Sequence, residues 1–279
     1  MTNTPSPYTG NTIVFATMHG KENLAAPAFA EQLGAIVIAP DHLDTDQFGT
    51  FAGDIPRTLS PLAAATEKAR LGMQLTGLPR GLASEGSFRS SLIGVGTTEI
   101  LLFVDTERGI ELLERASGSS PLPAAGRVKT LNEALTAADA LGFPEQGLLL
   151  HAVRGTTIDI HKTISTRTEL AELVTRCLDN ETALTILPDH RAHRSPSRAN
   201  RIQFLCVRMA LRLATPCPTC ATPGYGLIDV ETGLPCVACG TLTRGIAADI
   251  HGCGACTQKQ LHPRRETHAD PATCDHCNP

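Results

Sequence analysis

The chain has 279 residues, 42% of them hydrophobic and 19% charged, with a formal net charge of -4, a balance that excludes a disordered chain and any whole-chain attraction to nucleic acid or membrane. Its longest apolar runs, such as GLLLHAV at 147–153, fall far short of the roughly 20 residues that a membrane span requires. The opening MTNTPSPYTGN lacks a basic stretch leading into an apolar one, so the chain reads as cytoplasmic. With no Trp, two Tyr and eight Phe, the core must rest on Ala, Leu, Ile and Val, and aromatic base-stacking platforms are excluded.

The first half alternates short β-rich runs with helical patterns, which predicts α/β architecture. TIVFAT (12–17) reads as a strand, residues 22–33 as a helix and AIVIA (35–39) as a second strand. A long polar loop follows, carrying Asp41, Asp44, Asp46 and Asp54 among Gly and Pro, and loops of that length are usually functional. Ser60 is placed to cap a helix with Pro61 at its first position. GLAS (81–84) is read as a short strand ending in a Gly- and Ser-rich turn, and EILLFVD (99–105) as a strong strand with a hairpin partner beyond Arg108. LNEALTAADALGF is helical, GLLLHAV is a strand, and helices are expected over about 168–180 and 197–214.

Ten cysteines are the outlying count, and eight of them form CPTC (Cys217, Cys220), CVAC (Cys236, Cys239), CGAC (Cys253, Cys256) and CDHC (Cys274, Cys277). Paired Cys at two-residue gaps in such a chain point to metal, and four pairs supply two tetrahedral four-thiolate zinc sites of closed, structural type. Sequential pairing closes the shortest loops and predicts tandem zinc ribbons; an interleaved cross-brace is the second arrangement. The domains expected are 1–214, α/β with a mixed sheet, and 215–279, the ribbons.

Before the tail, Arg191, Arg194, Arg198, Arg201, Arg208 and Arg212 crowd 22 residues opposed locally by Asp189, and from Arg198 onward their spacing makes a helical stripe. Guanidinium groups match phosphate oxygens, and Arg191, His193 and Arg198 sit beside a helix N-terminus, so these three are predicted to hold an anion. The phosphate loop, dinucleotide fingerprint, HExxH and GxSxG motifs are missing from the chain. ATMHGKE follows the first strand and GLASEGSF surrounds the third, and strand ends in α/β sheets bind ligands. Lys21 and His19 are therefore read as phosphate ligands, and Glu85 with Asp44 or Asp46 as catalytic magnesium ligands lying within about 8 Å of Lys21.

Taken together, ATMHGKE, DTDQFGTFAG, KARLGM, GLASEGSF, DHRAHRSPSR and the tail from CPTC to CNP resemble an uncharacterised bacterial family, a domain of unknown function, over essentially the whole chain. Members follow GLASEGSF with GPHP and show DMRAH with NP and an Arg soon after; here RSSL follows Phe88 and the later motif is DHRAHRSPSR. The N-terminal part also resembles the inosine triphosphate pyrophosphatases, which remove pyrophosphate from non-standard purine nucleotides with magnesium. ATMHGK stands for their T, N and K loop with His19 in place of Asn, LAAATEKAR (62–70) for their NAxxKA helix with Lys68 and Ala69 retained, ASEGSF for ADDSGL, and RAHR for SHR. Their acidic metal ligand and Asn are replaced by Ala63 and Ala64, leaving Asp44, Asp46 or Glu99 as substitutes. That likeness implies a nucleoside phosphate as ligand and metal-dependent hydrolysis as activity. The rival expectation is a non-enzymatic adaptor whose ribbons and Arg helix dock nucleic acid or a protein.

Overall fold

Ile13, Val14 and Phe15 are fully buried in succession, as a strand covered on both faces requires. In the computed structural model, which describes residues 6–50, 53, 55–91, 94–120, 122–123, 125–178 and 182–279, that segment is β1 (Thr12–Phe15). Asp54, Leu92 of the RSSL stretch, and Asp179 and Asn180 at the end of an expected helix lie outside the described residues. The chain continues through α1 (Glu22–Leu33), β2 (Ile36–Ile38), α2 (Pro61–Thr76), β3 (Arg80–Ser91), β4 (Gly94–Asp105) and β5 (Ile110–Ser119). The five strands form one sheet in the order β2-β1-β3-β4-β5. Pairing is parallel on both sides of β1 and antiparallel from β3 to β5, so the sheet is mixed.

α2 starts as the sequence predicts: the Ser60 hydroxyl accepts from the Ala63 N–H, and Pro61 occupies the first helical position. Its small face lets it approach the sheet closely, with Ala65 and Ala69 packed on Ala83 and Leu102. A methyl group added at Gly72 would lie 3.0 Å from Ala16 Cβ. The opposite face carries the main core, where Phe29 of α1 and Leu205 and Met209 of α5 (Pro196–Leu213) meet Phe15, Leu82, Leu101 and Phe103.

One expectation about this sheet is corrected. GLASEGSF does not leave a four-residue strand through a turn; all of it belongs to the twelve-residue β3, and Glu85 pairs with Ile100 of β4. Gly86 reads as a turn signal, but it is a strand glycine required by close approach, since a Cβ there would lie 2.5 Å from Glu99 Oε2 and 3.0 Å from the Arg198 guanidinium.

Between β5 and α5 the chain builds a second, antiparallel sheet in the order β6-β9-β7-β8, from β6 (Gly126–Val128), β7 (Leu148–Arg154), β8 (Thr157–His161) and β9 (Ala183–Pro188). α3 (Leu131–Leu141) and α4 (Arg167–Leu178) cover it, with Ala134, Ala138, Leu170 and Val174 packed on Leu148 and Leu150. The last segment forms a separate three-stranded sheet of β10 (Gly226–Thr232), β11 (Ile246–Gly252) and β12 (Lys259–Pro263). Among the described residues no helix is long and apolar enough to cross a membrane.

Candidate anion cleft and candidate metal centres

β1 stops at Phe15 while β3 runs on to Ser91, so the edge of β3 beyond Leu82 has no strand beside it. Unpaired strand-edge carbonyls need donors. Lys21, at the start of α1, reaches the Ser84 carbonyl at 3.4 Å and the Ser84 hydroxyl at 3.0 Å, and Arg57 donates to the Gly86 carbonyl at 2.9 Å. A cleft of about 480 Å³, including its mouth, opens at this edge. Lys21, Lys68 of α2, Lys162 after β8, Arg191 before α5 and Arg198 in the first turn of α5 line it, together with His19, Asp46 and Glu85. Five cationic side chains from separate segments thus face two carboxylates.

Each carboxylate has a definite station. Glu85 is buried, with Oε1 held by Lys68 and Oε2 by Arg57 at 2.9 Å. Burial alone would raise its pKa, but the charges of Lys68 and Lys21 outweigh that and hold it below the usual carboxylate range. Behind the wall, Glu99 accepts two bonds of 2.9 Å from Arg198, and Asp189 accepts from Arg191 at 2.7 Å. Burial works against the Arg198 charge, and Glu99 more than restores it.

The remaining titratable groups are pushed towards neutrality. Burial, followed by the charge of Arg198, brings Lys21 down to about 8. Burial and then His193 and Lys21 lower His19 to about 4; burial and Arg198 do the same to His190, which stacks on Phe88 at 3.8 Å. His193, whose ring lies 4.6 Å from that of His19, is lowered by burial and then by Arg191. Positive charge in excess, in a partly dry cleft, is the common cause, and an arriving anion would oppose every one of these Coulomb effects.

The structure therefore brings Lys21, His19, Asp46, Glu85, Arg191 and Arg198 to one cleft, with His193 against His19. Asp44 does not join them: it is exposed, and its Oδ1 accepts from the Asp46 N–H at 2.8 Å, closing a local turn. The magnesium expectation does not fit this arrangement, because both Glu85 oxygens are engaged by cations and Asp44 is turned elsewhere. Among the described residues, the groupings of three or more metal-ligating side chains are cysteine clusters alone. Arg57 and Lys162 were not legible from sequence; neither lies in a motif, and both reach the site through tertiary packing.

The Arg stripe is also corrected. It faces the molecule's own sheet: Arg201 bonds Thr97, Arg208 pairs with Glu114 at 2.6 Å and Arg212 with Glu114 at 3.0 Å, as Arg198 does with Glu99. The opposing carboxylates come from β4 and β5, about a hundred residues away in sequence, which is why local counting of charges missed them.

At the tail, the eight cysteines gather into Cys217, Cys220, Cys253 and Cys256, and Cys236, Cys239, Cys274 and Cys277. First pair joins third and second joins fourth, so the expected sequential pairing, and with it tandem ribbons, gives way to the interleaved arrangement. Strand register is the reason. β10 pairs with β11 with Gly226 opposite Gly252, which carries the chain after Cys220 back to Cys253, while a bridge between Cys236 and Ala269 brings the second pair to the fourth. Sulfur separations of 3.7 Å (Cys217–Cys256), 3.6 Å (Cys220–Cys253), 3.8 Å (Cys236–Cys277) and 3.7 Å (Cys239–Cys274) are far beyond a disulfide bond. They match the edge of about 3.8 Å in a tetrahedron with metal–sulfur bonds of about 2.3 Å. The two clusters are compatible with two bound metal ions. The first is seated on the α/β body: Arg212 Nε donates to the Gly224 carbonyl at 3.1 Å, and Gly224, at φ +96°, leaves no room for a Cβ beside Leu112.

A family model described as Domain of unknown function (DUF6671) matches residues 68–279, which contain α2, Glu85, Arg191, Arg198 and all eight clustered cysteines. No curated protein matches the chain.

Proposed function

The chain belongs to the family described as Domain of unknown function (DUF6671), and from that premise we propose that it binds a phosphorylated small molecule, a nucleoside phosphate, in the cleft beside β3. The observation that carries the reading is the convergence of Lys21, Lys68, Lys162, Arg191 and Arg198 on one enclosed space. Lys21 supports it most directly. It is a buried ammonium whose hydrogen bonds go to neutral Ser84 oxygens, so a phosphate there would supply the counter-charge it lacks. The nucleoside portion rests on the likeness to inosine triphosphate pyrophosphatases. Binding, rather than turnover, is the function proposed, because Glu85 is committed to Lys68 and Arg57.

We assign the two cysteine clusters to structural zinc, one ion in each, since four thiolates close the coordination sphere and leave no position for a reactive water. Residues 215–279 then form a metal-dependent folding unit, and residues 1–214 the ligand-binding body. The adaptor alternative keeps the cysteine module but loses the Arg helix as a nucleic-acid grip, its guanidiniums being engaged with Glu99, Glu114 and Thr97.

The test is calorimetric titration of the metal-loaded chain with a panel of nucleoside mono-, di- and triphosphates beside the matching nucleosides. The expected result is binding that requires the phosphate and is lost in Lys21→Met. Equal binding of nucleoside and nucleotide, or none of either, refutes the reading. Affinity for duplex DNA that falls steeply with salt, retained in Lys21→Met, would favour the adaptor instead.

A further inference from the structure

Asp46 is the one wall residue whose chemistry runs against a plain anion site. It begins a short 3-10 turn (Asp46–Phe48), its side chain is about one-third exposed, and its carboxylate faces the cleft. Among the described residues its side chain has one polar neighbour, His19 Nε2, at 3.8 Å, which is too long for a hydrogen bond. Glu85, the other carboxylate of the wall, is covered by Lys68 and Arg57. An ionised carboxylate can only accept hydrogen bonds, so Asp46 repels a fully ionised oxyanion and welcomes one that still carries a proton.

Resting on the reading of the cleft as a phosphate site, we propose that Asp46 determines its specificity: it accepts a hydrogen bond from a protonated phosphoryl oxygen, so the site takes phosphate and phosphate monoesters and rejects sulfate and sulfonates. Phosphate monoesters have a second pKa of about 6, so near neutrality a fraction of molecules keeps an O–H to donate, whereas sulfate has none. The lysines and arginines hold the remaining oxygens of either anion equally well; the difference lies at Asp46. Burial and the neighbouring cations keep His19 neutral at that pH, so it does not cancel the Asp46 charge. Specificity then comes from a repulsive group built against the wrong ligand.

The test is titration of the full-length, metal-loaded protein with inorganic phosphate and with sulfate just below neutral pH, for the wild type and Asp46→Asn. The wild type should bind phosphate at least about tenfold more tightly than sulfate. Asp46→Asn, which replaces an obligate acceptor by a group that also donates, should bring the two within about threefold, chiefly by tightening sulfate. Unchanged thermal melting shows that the variant is folded. Equal affinities in the wild type, or the same ratio in both proteins, overturn the inference while leaving the phosphate site standing. Failure of both proteins to bind either anion removes the phosphate reading and this inference with it.

Discussion

The cysteine module and the cationic cleft are built by opposite strategies. In the module the ligands lie two residues apart in four tight knuckles, and long-range structure only decides which knuckle meets which. In the cleft no two cationic side chains are sequence neighbours, and the site exists because the β3 edge, the starts of α1 and α5, the middle of α2 and the end of β8 meet. The module spends little apolar surface and depends on metal; the cleft depends on a packed core behind it. A metal site can therefore be lost by one sulfur, whereas the cleft tolerates single changes at its rim but not in the buried pairs that support it.

The largest effect should separate the two regions. Cys236→Ser removes one thiolate of the second cluster, and since metal binding supplies about 10–16 kcal/mol of apparent folding free energy in zinc-finger peptides, residues 215–279 should become protease-sensitive while the body keeps its melting temperature. Elemental analysis should find two zinc ions per wild-type chain and one in the variant. Fewer than one in the wild type refutes the assignment. Cys217→Ser sharpens the comparison: its cluster rests on Leu112 and Arg212, so amide exchange along β5 should quicken as well.

Next comes the ion pair behind the cleft. Arg198→Ala strands the buried Glu99 and should cost about 3–5 kcal/mol in denaturant unfolding. Replacing both Arg198 and Glu99 by Leu should cost less than the single change; if it does not, the pair is not the support described. Gly86→Ala forces a methyl group to 2.5 Å from Glu99 Oε2 and should destabilise by about 1–3 kcal/mol, with no effect on metal content.

The smallest effects belong to Lys21. Its pKa is depressed from the ordinary 10.5 to about 8, so between those values the unfolded chain binds more protons than the folded one, and stability should rise as pH climbs through that window. Phosphate affinity should move the other way, falling as Lys21 loses its proton above about pH 8. Lys21→Met should flatten both profiles and weaken phosphate binding about tenfold. A melting temperature in Lys21→Met that retains the wild-type pH slope would assign the dependence to another group.

How much of this was legible in the sequence follows from the range of the interactions concerned. The sequence by itself determined the local features: the Ser60 cap and Pro61 start of α2, the runs of β1 and β4, the hairpin to β5, and the eight cysteines as metal ligands, each set by residues a few positions apart. Short β6, β8 and β9, and the strands of the tail, carry too little periodic signal to stand out. Tertiary structure alone decided that Gly86 lies inside a strand, where Arg198 and Glu99 crowd it, and that the Arg stripe of α5 faces Glu99 and Glu114 rather than solvent. It also decided that Lys162 and Arg57 join the site, and that the cysteine pairs interleave, because the register of β10 on β11 outweighs the small gain in loop-closure entropy from shorter loops. Spacing along the chain specifies which groups can share a knuckle or a helix turn; which distant charges become partners depends on the packing of the sheet between them.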